Sequence, residues 1–128
     1  MNLLLDTHAL LWWGRGDQRL SARAATEIDS SDNLIFVSAV SAMEIATKYR
    51  LGKLPEAYNL ATNFESEIDA VRFRSLAITV SHGRLAGSLA IPHKDPFDRL
   101  LIAQAILEGM TLVSNEAAFD AFGVNRLW

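Results

Sequence analysis

Five short aliphatic runs punctuate the chain: NLLLD at residues 2–6, LIFVS at 34–38, LAITV at 76–80, MTLVS at 110–114 and the weaker VNRLW at 124–128. Each is apolar almost throughout rather than alternating, the pattern of a strand buried on both faces. Between them lie stretches of helical character: RLSARAATEIDSS (19–31), SAVSAMEIATKYRLG (38–52), AYNLATNFESEIDAVRF (57–73), SHGRLAGSLA (81–90) and DPFDRLLIAQAILEG (95–109). Strands alternating with helices of this length imply crossover connections and a mostly parallel central sheet, so the expected class is α/β. Gly52 and Gly109 are placed to end helices, Ser81 to cap one, and SSDN to turn the chain into the second strand. With no repeat, linker or low-complexity segment, residues 1–128 read as one domain.

Composition adds exclusions. Cysteine is absent, which removes disulfides, a thiolate nucleophile and Cys-type zinc, and suits a reducing, cytoplasmic location. The opening MNLLLDTHALLWW lacks the basic start and cleavage site of a leader, and no apolar run approaches the roughly 20 residues of a membrane span, so a soluble chain with no membrane partner is expected. The net charge of -3 argues against blanket phosphate binding. If four carboxylates were gathered in one site, however, 11 acids would face 12 bases elsewhere, and the outer surface would be locally basic.

Function in open α/β sheets gathers at the carboxyl ends of the strands. Asp6 ends the first run there, Ser114, Asn115 and Glu116 follow the fourth, and Glu44 lies just past the second. Asp98 shares a helical face with Leu101, Ile102, Ala105 and Gly109, the stripe that should pack on the sheet, so it points inward. Each acid also has an ordinary structural role available. Asp6 would cap a helix starting near THALLW; Ser41-x-x-Glu44 matches a capping box, with Lys48 one turn beyond; and Glu116 would be a first-turn acid behind an Asn115 cap. Asp95 before Pro96 fits an N-cap with proline at the first helical position. The functional case for Asp6, Glu44, Asp98 and Glu116 is their convergence, since like charges so placed need a cation. An all-oxygen site suits Mg²⁺ or Mn²⁺, and phosphodiester hydrolysis is the chemistry such a site suggests.

His8 and His93 are near the same edge, within reach of a substrate, although structural roles are commoner for such residues. His82 carries no signal. Trp12 and Trp13 read as core or partner-binding area before base stacking. Lys48, Arg50 and Lys53, with Arg72 and Arg74, form a candidate phosphate rim.

These segments together, LLLDTHALLW, VSAVSAMEIATK, HKDPFDRLLIAQA and LVSNEAAFDAFGV, resemble in order and spacing the successive motifs of PIN-domain proteins, in particular the VapC-type toxins of bacterial toxin–antitoxin pairs. The resemblance covers essentially the whole chain. It implies a PIN-like α/β/α sandwich, Mg²⁺- or Mn²⁺-dependent endoribonuclease activity on an RNA substrate, neutralisation by a small cognate antitoxin protein, and a homodimer. The family's catalytic and metal-binding acids fall on Asp6, Glu44 and Asp98. The fourth is usually an aspartate, and Glu116 in SNE departs from that pattern. Asp95 belongs to the DPFDR signature as a cap or support for the site.

Two other readings compete. A receiver-like phosphoacceptor domain would need an aspartate after the third strand and a lysine after the fifth, and neither is present. A PIN-like domain that binds RNA or a partner without cutting is separated from a nuclease by activity alone.

Overall fold

The computed structural model describes residues 1–128 and carries five strands in one sheet of order β3-β2-β1-β4-β5, all parallel. β1 (Asn2–Leu5) leads into α1 (Thr7–Arg15) and α2 (Ala22–Asp29); β2 (Leu34–Ser38) runs directly into α3 (Ala39–Arg50). A 3₁₀ turn at Pro55–Ala57, α4 (Tyr58–Thr62) and α5 (Phe64–Ala70) precede β3 (Arg74–Leu76). The second half is α6 (Val80–Ser88), α7 (Pro96–Glu108), β4 (Thr111–Val113), a 3₁₀ segment Ala117–Phe122 and β5 (Arg126–Leu127).

β1 shows why the aliphatic runs are continuous. Leu3 and Leu5 enter the core formed with Leu10, Trp12, Ala24, Ile28 and Ile68, whereas Leu4 enters the core formed with Leu101, Ile102, Ala105 and Leu112. Successive strand residues point to opposite faces, and helices cover both. α3 spans the two cores, with Ile45 in the first and Val40 in the second. This is the α/β/α layering that the resemblance implied.

The chain steps outward from β1 to β2 to β3, then crosses back to lay β4 on the other side of β1. Strand order therefore reverses beside β1, and the crevice outside the carboxyl ends of β1 and β4 is where such sheets bind ligands. This order also removes the receiver reading, because receiver-like sheets run 2-1-3-4-5, and it is Ala77 that follows β3.

Several local expectations are corrected. The third strand is Arg74–Leu76, not the apolar LAITV run, because it pairs with Phe36–Ser38 and ends level with Ser38. As an edge strand it needs no apolar face on both sides; Ile78 and Val80 are left exposed, Val80 at 89%. α6 is capped by Thr79 rather than Ser81: the Thr79 hydroxyl accepts the His82 N–H, and His82 Nδ1 accepts the Thr79 N–H at 3.0 Å. His82 is thus a buried structural residue, not an incidental one. Ser38, not Ser41, caps α3, since β2 passes into the helix without a loop, so the Ser41-x-x-Glu44 capping box does not form. The long helix expected over 57–73 breaks at Asn63 (φ -135°, ψ 43°) into α4 and α5.

Candidate active site

Asp6 sits one residue beyond β1, its N–H still bonded to Val113 O at 3.0 Å across the β1–β4 junction. Its Oδ1 accepts the Ala9 N–H at 2.8 Å, so it is indeed the N-cap of α1. Being a cap does not exhaust it: the side chain is buried, and that burial pushes its pKa from 3.8 to about 6. The bonds from Ala9 and Ser114 and the nearby His8 imidazole hold the shift back, while the charge of Asp98 adds to it. No lysine or arginine balances this carboxylate, which is costly in a buried position.

Thr7, which sequence reasoning did not single out, joins Asp6 to the next acid. Its hydroxyl donates to Glu44 Oε1 at 2.7 Å and lies 3.0 Å from Ser41 Oγ. Glu44 is 6% exposed, and its Oε2 accepts from Lys48 Nζ at 2.6 Å, the pair expected one turn apart on α3. The available signal was the polar DT pair straight after an aliphatic strand: the first residue caps, and the second reaches across the sheet's edge.

Asp98 lies in the first turn of α7, above Leu101, Ile102 and Ala105, all buried, as the helical spacing predicted. Its side chain is 28% exposed, with Oδ2 2.9 Å from His93 Nε2. Burial is the main cause of its raised pKa, and Asp95 and Glu44 add to the rise; the bond to His93 opposes them. Asp95 is the N-cap, accepting from Phe97 N at 2.9 Å and more weakly from Asp98 N at 3.4 Å.

Asp6, Glu44 and Asp98 thus come from three elements to one edge, where Asp98 raises Asp6 and Glu44 raises Asp98. Glu116 stands apart. It is exposed, occupies the N-cap position of the 3₁₀ segment without a side-chain cap bond, and contributes its N–H to Ser114 Oγ at 3.1 Å. The Asn115 cap does not form, because the segment starts one residue later than a helix capped there would. No three of the chain's His, Asp and Glu side chains stand close enough together to grip an ion in their present positions.

Two hydrogen-bonded devices support the edge. Arg99, next to Asp98, donates to four main-chain carbonyls: Ala86 (2.8 Å), Leu89 (2.6 Å), Ile91 (2.9 Å) and His93 (2.9 Å). One guanidinium therefore shapes the connection that delivers His93 to Asp98. Below it, Gln104 accepts from the Ser38 hydroxyl at 2.6 Å and contacts His82, whose Nε2 is 2.9 Å from Glu108. This chain ties α7 to the cap of α3, the helix that carries Glu44.

The candidate phosphate rim divides. Lys48 is at the site, paired with Glu44. Arg72 and Arg74 belong to the start of β3, and in a parallel sheet that is the opposite edge. Trp12 is core, stacked on His8 with centroids 5.3 Å apart, and the Trp13 Nε1–H donates to Asp29.

Comparison with known proteins agrees with this geometry. The family model described as PIN domain matches residues 3–125. Ribonuclease VapC22 of Mycobacterium tuberculosis is 32% identical over 114 residues, covering 89% of this chain and 86% of the relative. VapBC2 from Rickettsia felis, solved bound to a promoter DNA fragment, superposes with a TM-score of 0.70 at 18% identity, over 99% of this chain and 98% of that one. Mycobacterium tuberculosis VapC20, described as a sarcin-ricin loop cleaving toxin, gives 0.64 at 17% identity over 95% of each chain. With the sheet order, the acidic edge and the sequence match in agreement, the chain belongs to the PIN-domain family.

Proposed function

We propose that the chain is an endoribonuclease of the VapC type that hydrolyses RNA phosphodiester bonds with Mg²⁺ or Mn²⁺, as the toxin of a toxin–antitoxin pair working in the cytoplasm. The observation that carries the reading is the buried Asp6 carboxylate, pushed up to about 6 and without a lysine or arginine partner, with the charge of Asp98 adding to its rise and that of Glu44 adding to the rise at Asp98. Buried acids in such an arrangement are stabilised by a hard cation, and an all-oxygen donor set suits these two metals. Asp6 and Asp98 would hold the ion beside the bonds they make to Ala9 and His93, Glu44 would share it with its Lys48 and Thr7 bonds, and Glu116 would reach in from the rim. When bound, the ion would polarise the phosphoryl oxygen and acidify an attacking water.

The chain's own residues fill the remaining roles. Thr7 orients Glu44 by donating to Oε1, and His93 fixes Asp98 through Oδ2. Lys48 offers a positive charge beside the substrate's phosphate. The name of the M. tuberculosis relative, a ribonuclease, supports RNA as the substrate.

The partner we propose is a small antitoxin. Solved neighbours with this fold include VapBC assemblies and a toxin–antitoxin complex from Klebsiella pneumoniae. A partly apolar groove of about 320 Å³ between α1 and α4–α5, walled by Leu10, Leu11, Trp13, Leu60, Ile68 and Val71, gives such a protein a place to dock. We propose a homodimer as the assembly. No helix is long and apolar enough to cross a membrane.

Cleavage of a broad RNA pool, with and without Mg²⁺, by the wild type and Asp6→Asn tests the activity. Metal-dependent cutting lost in the variant is expected. RNA bound but left intact by the wild type with metal would favour the non-catalytic reading instead.

A further inference from the structure

Beside the acidic edge, a second and smaller hollow of about 160 Å³ has no assigned use. Its lining includes Thr7 and Lys48, the two residues that hold Glu44, together with His8, Arg15 and Arg19. It therefore shares a wall with the candidate centre. Three cations and an imidazole line it with one carboxylate, that of Glu56, while Glu44 and Asp17, outside the lining, pair with Lys48 and Arg19.

The aromatic part is ordered from below. His8 is exposed and lies nearly parallel to Trp12, centroids 5.3 Å apart and planes 10° from parallel. One face of the imidazole rests on the buried indole and the other is left for a stacking partner. Arg19 is fixed near the same indole, its guanidinium carbon 5.1 Å from the ring centroid. The cations have partners: Arg15 is bonded to Glu56 at 3.0 Å at the surface, where such a pair is weakly held, while Arg19 is held by both carboxylate oxygens of Asp17, the shortest bond 2.7 Å, and is the better fixed of the two. A phosphate can replace either carboxylate with bidentate bonds of the same kind.

We infer that this hollow is the subsite for the RNA nucleotide next to the cleaved bond, with its phosphate on Arg15 and Arg19 and its base on the open face of His8. A base stacked on a ring and a backbone phosphate held by guanidinium groups is how single strands are bound without sequence readout. The inference rests on the endoribonuclease reading for its substrate class, but binding is measured separately from cutting. Arg15 and Arg19, neither of them in the predicted rim, join Lys48 in making the hollow basic.

The test is fluorescence anisotropy of a labelled, mixed-sequence single-stranded RNA, titrated with the full chain carrying Asp6→Asn in chelator, so that no cleavage intervenes. Adding Arg15→Gln or Arg19→Gln should weaken binding several-fold at low salt and flatten the dependence of log K on log[salt] by about 0.7 for each phosphate no longer neutralised. His8→Ala should weaken binding by about tenfold with little change in that slope, and His8→Phe should restore it. Thermal melts confirm that these added substitutions, all at exposed side chains, leave the protein folded. Parental affinity and slope in all of them, or no RNA binding by the parent, overturns the subsite. If the variants bind weakly as expected while the wild type with Mg²⁺ cuts no RNA, the subsite stands and the nuclease reading falls; wild-type cutting with unaltered variant binding gives the reverse.

Discussion

The two sides of the acidic edge are built in different ways. On the Asp6 and Glu44 side, the carboxylates are buried and held by groups that belong to regular elements: the first turn of α1, the Thr7 hydroxyl, Ser114 at the end of β4, and Lys48 within α3 itself. On the Asp98 side, the carboxylate is half-buried and meets a histidine presented by an irregular connection that a single arginine holds in shape. The first side is set by sheet register, and moving it requires moving the sheet. The second is set by four hydrogen bonds from one residue. Perturbations of the two should therefore separate into chemistry lost in a sound fold and chemistry lost because the fold has loosened.

The largest effect is expected at Asp6. Asp6→Asn keeps a good N-cap but removes the charge that a cation needs, so cleavage should fall by roughly a thousandfold or more, taking the metal's contribution as several kcal/mol. Stability in chelator should move the other way. The folded carboxyl, with a pKa of about 6, holds its proton more tightly than the unfolded chain does at 3.8. The contribution of Asp6 to metal-free stability is therefore greatest below about pH 4, falls as the pH climbs to about 6, and stays lower above, by about 3 kcal/mol for a shift of this size. Denaturant melts of wild type and Asp6→Asn from pH 4 to 7 should diverge in that window. Parallel curves would mean that Asp6 is not strained.

Next comes Arg99→Lys, which keeps the charge and loses the fork. An ammonium has three donors, so at least one of the four carbonyl bonds is gone; unfolding free energy should drop by about 2 kcal/mol, and cleavage measured well below the melting temperature should fall with it. A fully active, equally stable variant would deny Arg99 its part in shaping the Asp98 side.

Asp95→Ala tests the cap alone and should cost about 1 kcal/mol with cleavage retained at temperatures where the protein is folded. Asp98→Asn should do the opposite, leaving the metal-free fold as stable or more so while removing most cleavage. Loss of cleavage in folded Asp95→Ala, with Asp98→Asn still active, would reverse the two roles. The smallest effect is assigned to Glu116→Gln, an exposed side chain without a fixed partner; a decrease of less than about tenfold in cleavage rate is the expected result.

How much of this was legible in the sequence follows the same division. The aliphatic runs located β1, β2 and β4 because central parallel strands must be apolar on both faces, and the stripe of α7 placed Asp98 because helical spacing does not depend on neighbours. β3 was displaced because an edge strand is free of that demand, so the LAITV pattern runs from the last residue of β3 through the connection and the Thr79 cap to the first residue of α6. Thr7, Gln104 and Arg99 escaped notice for a different reason: their partners are 37, 66 and up to 13 residues away, and a hydrogen bond across such distances leaves no periodicity. The departure of Glu116 from the usual aspartate was visible in the sequence, and the structure sets it on the exposed rim.

The sheet order carries a consequence for when the activity arises during synthesis. β1 is made first but lies in the middle, and its second neighbour, β4, arrives 108 residues later, pairing Leu3 with Thr111 and Leu5 with Val113. A ribosome that has released the chain only as far as α5 has exposed Asp6 and Glu44 but neither Asp98 nor Ser114. Because sheet pairing between such distant segments forms slowly, a product cut short before β4 should be a poor nuclease, and a cell making this protein should meet its chemistry only once β4 and Ser114 have been joined.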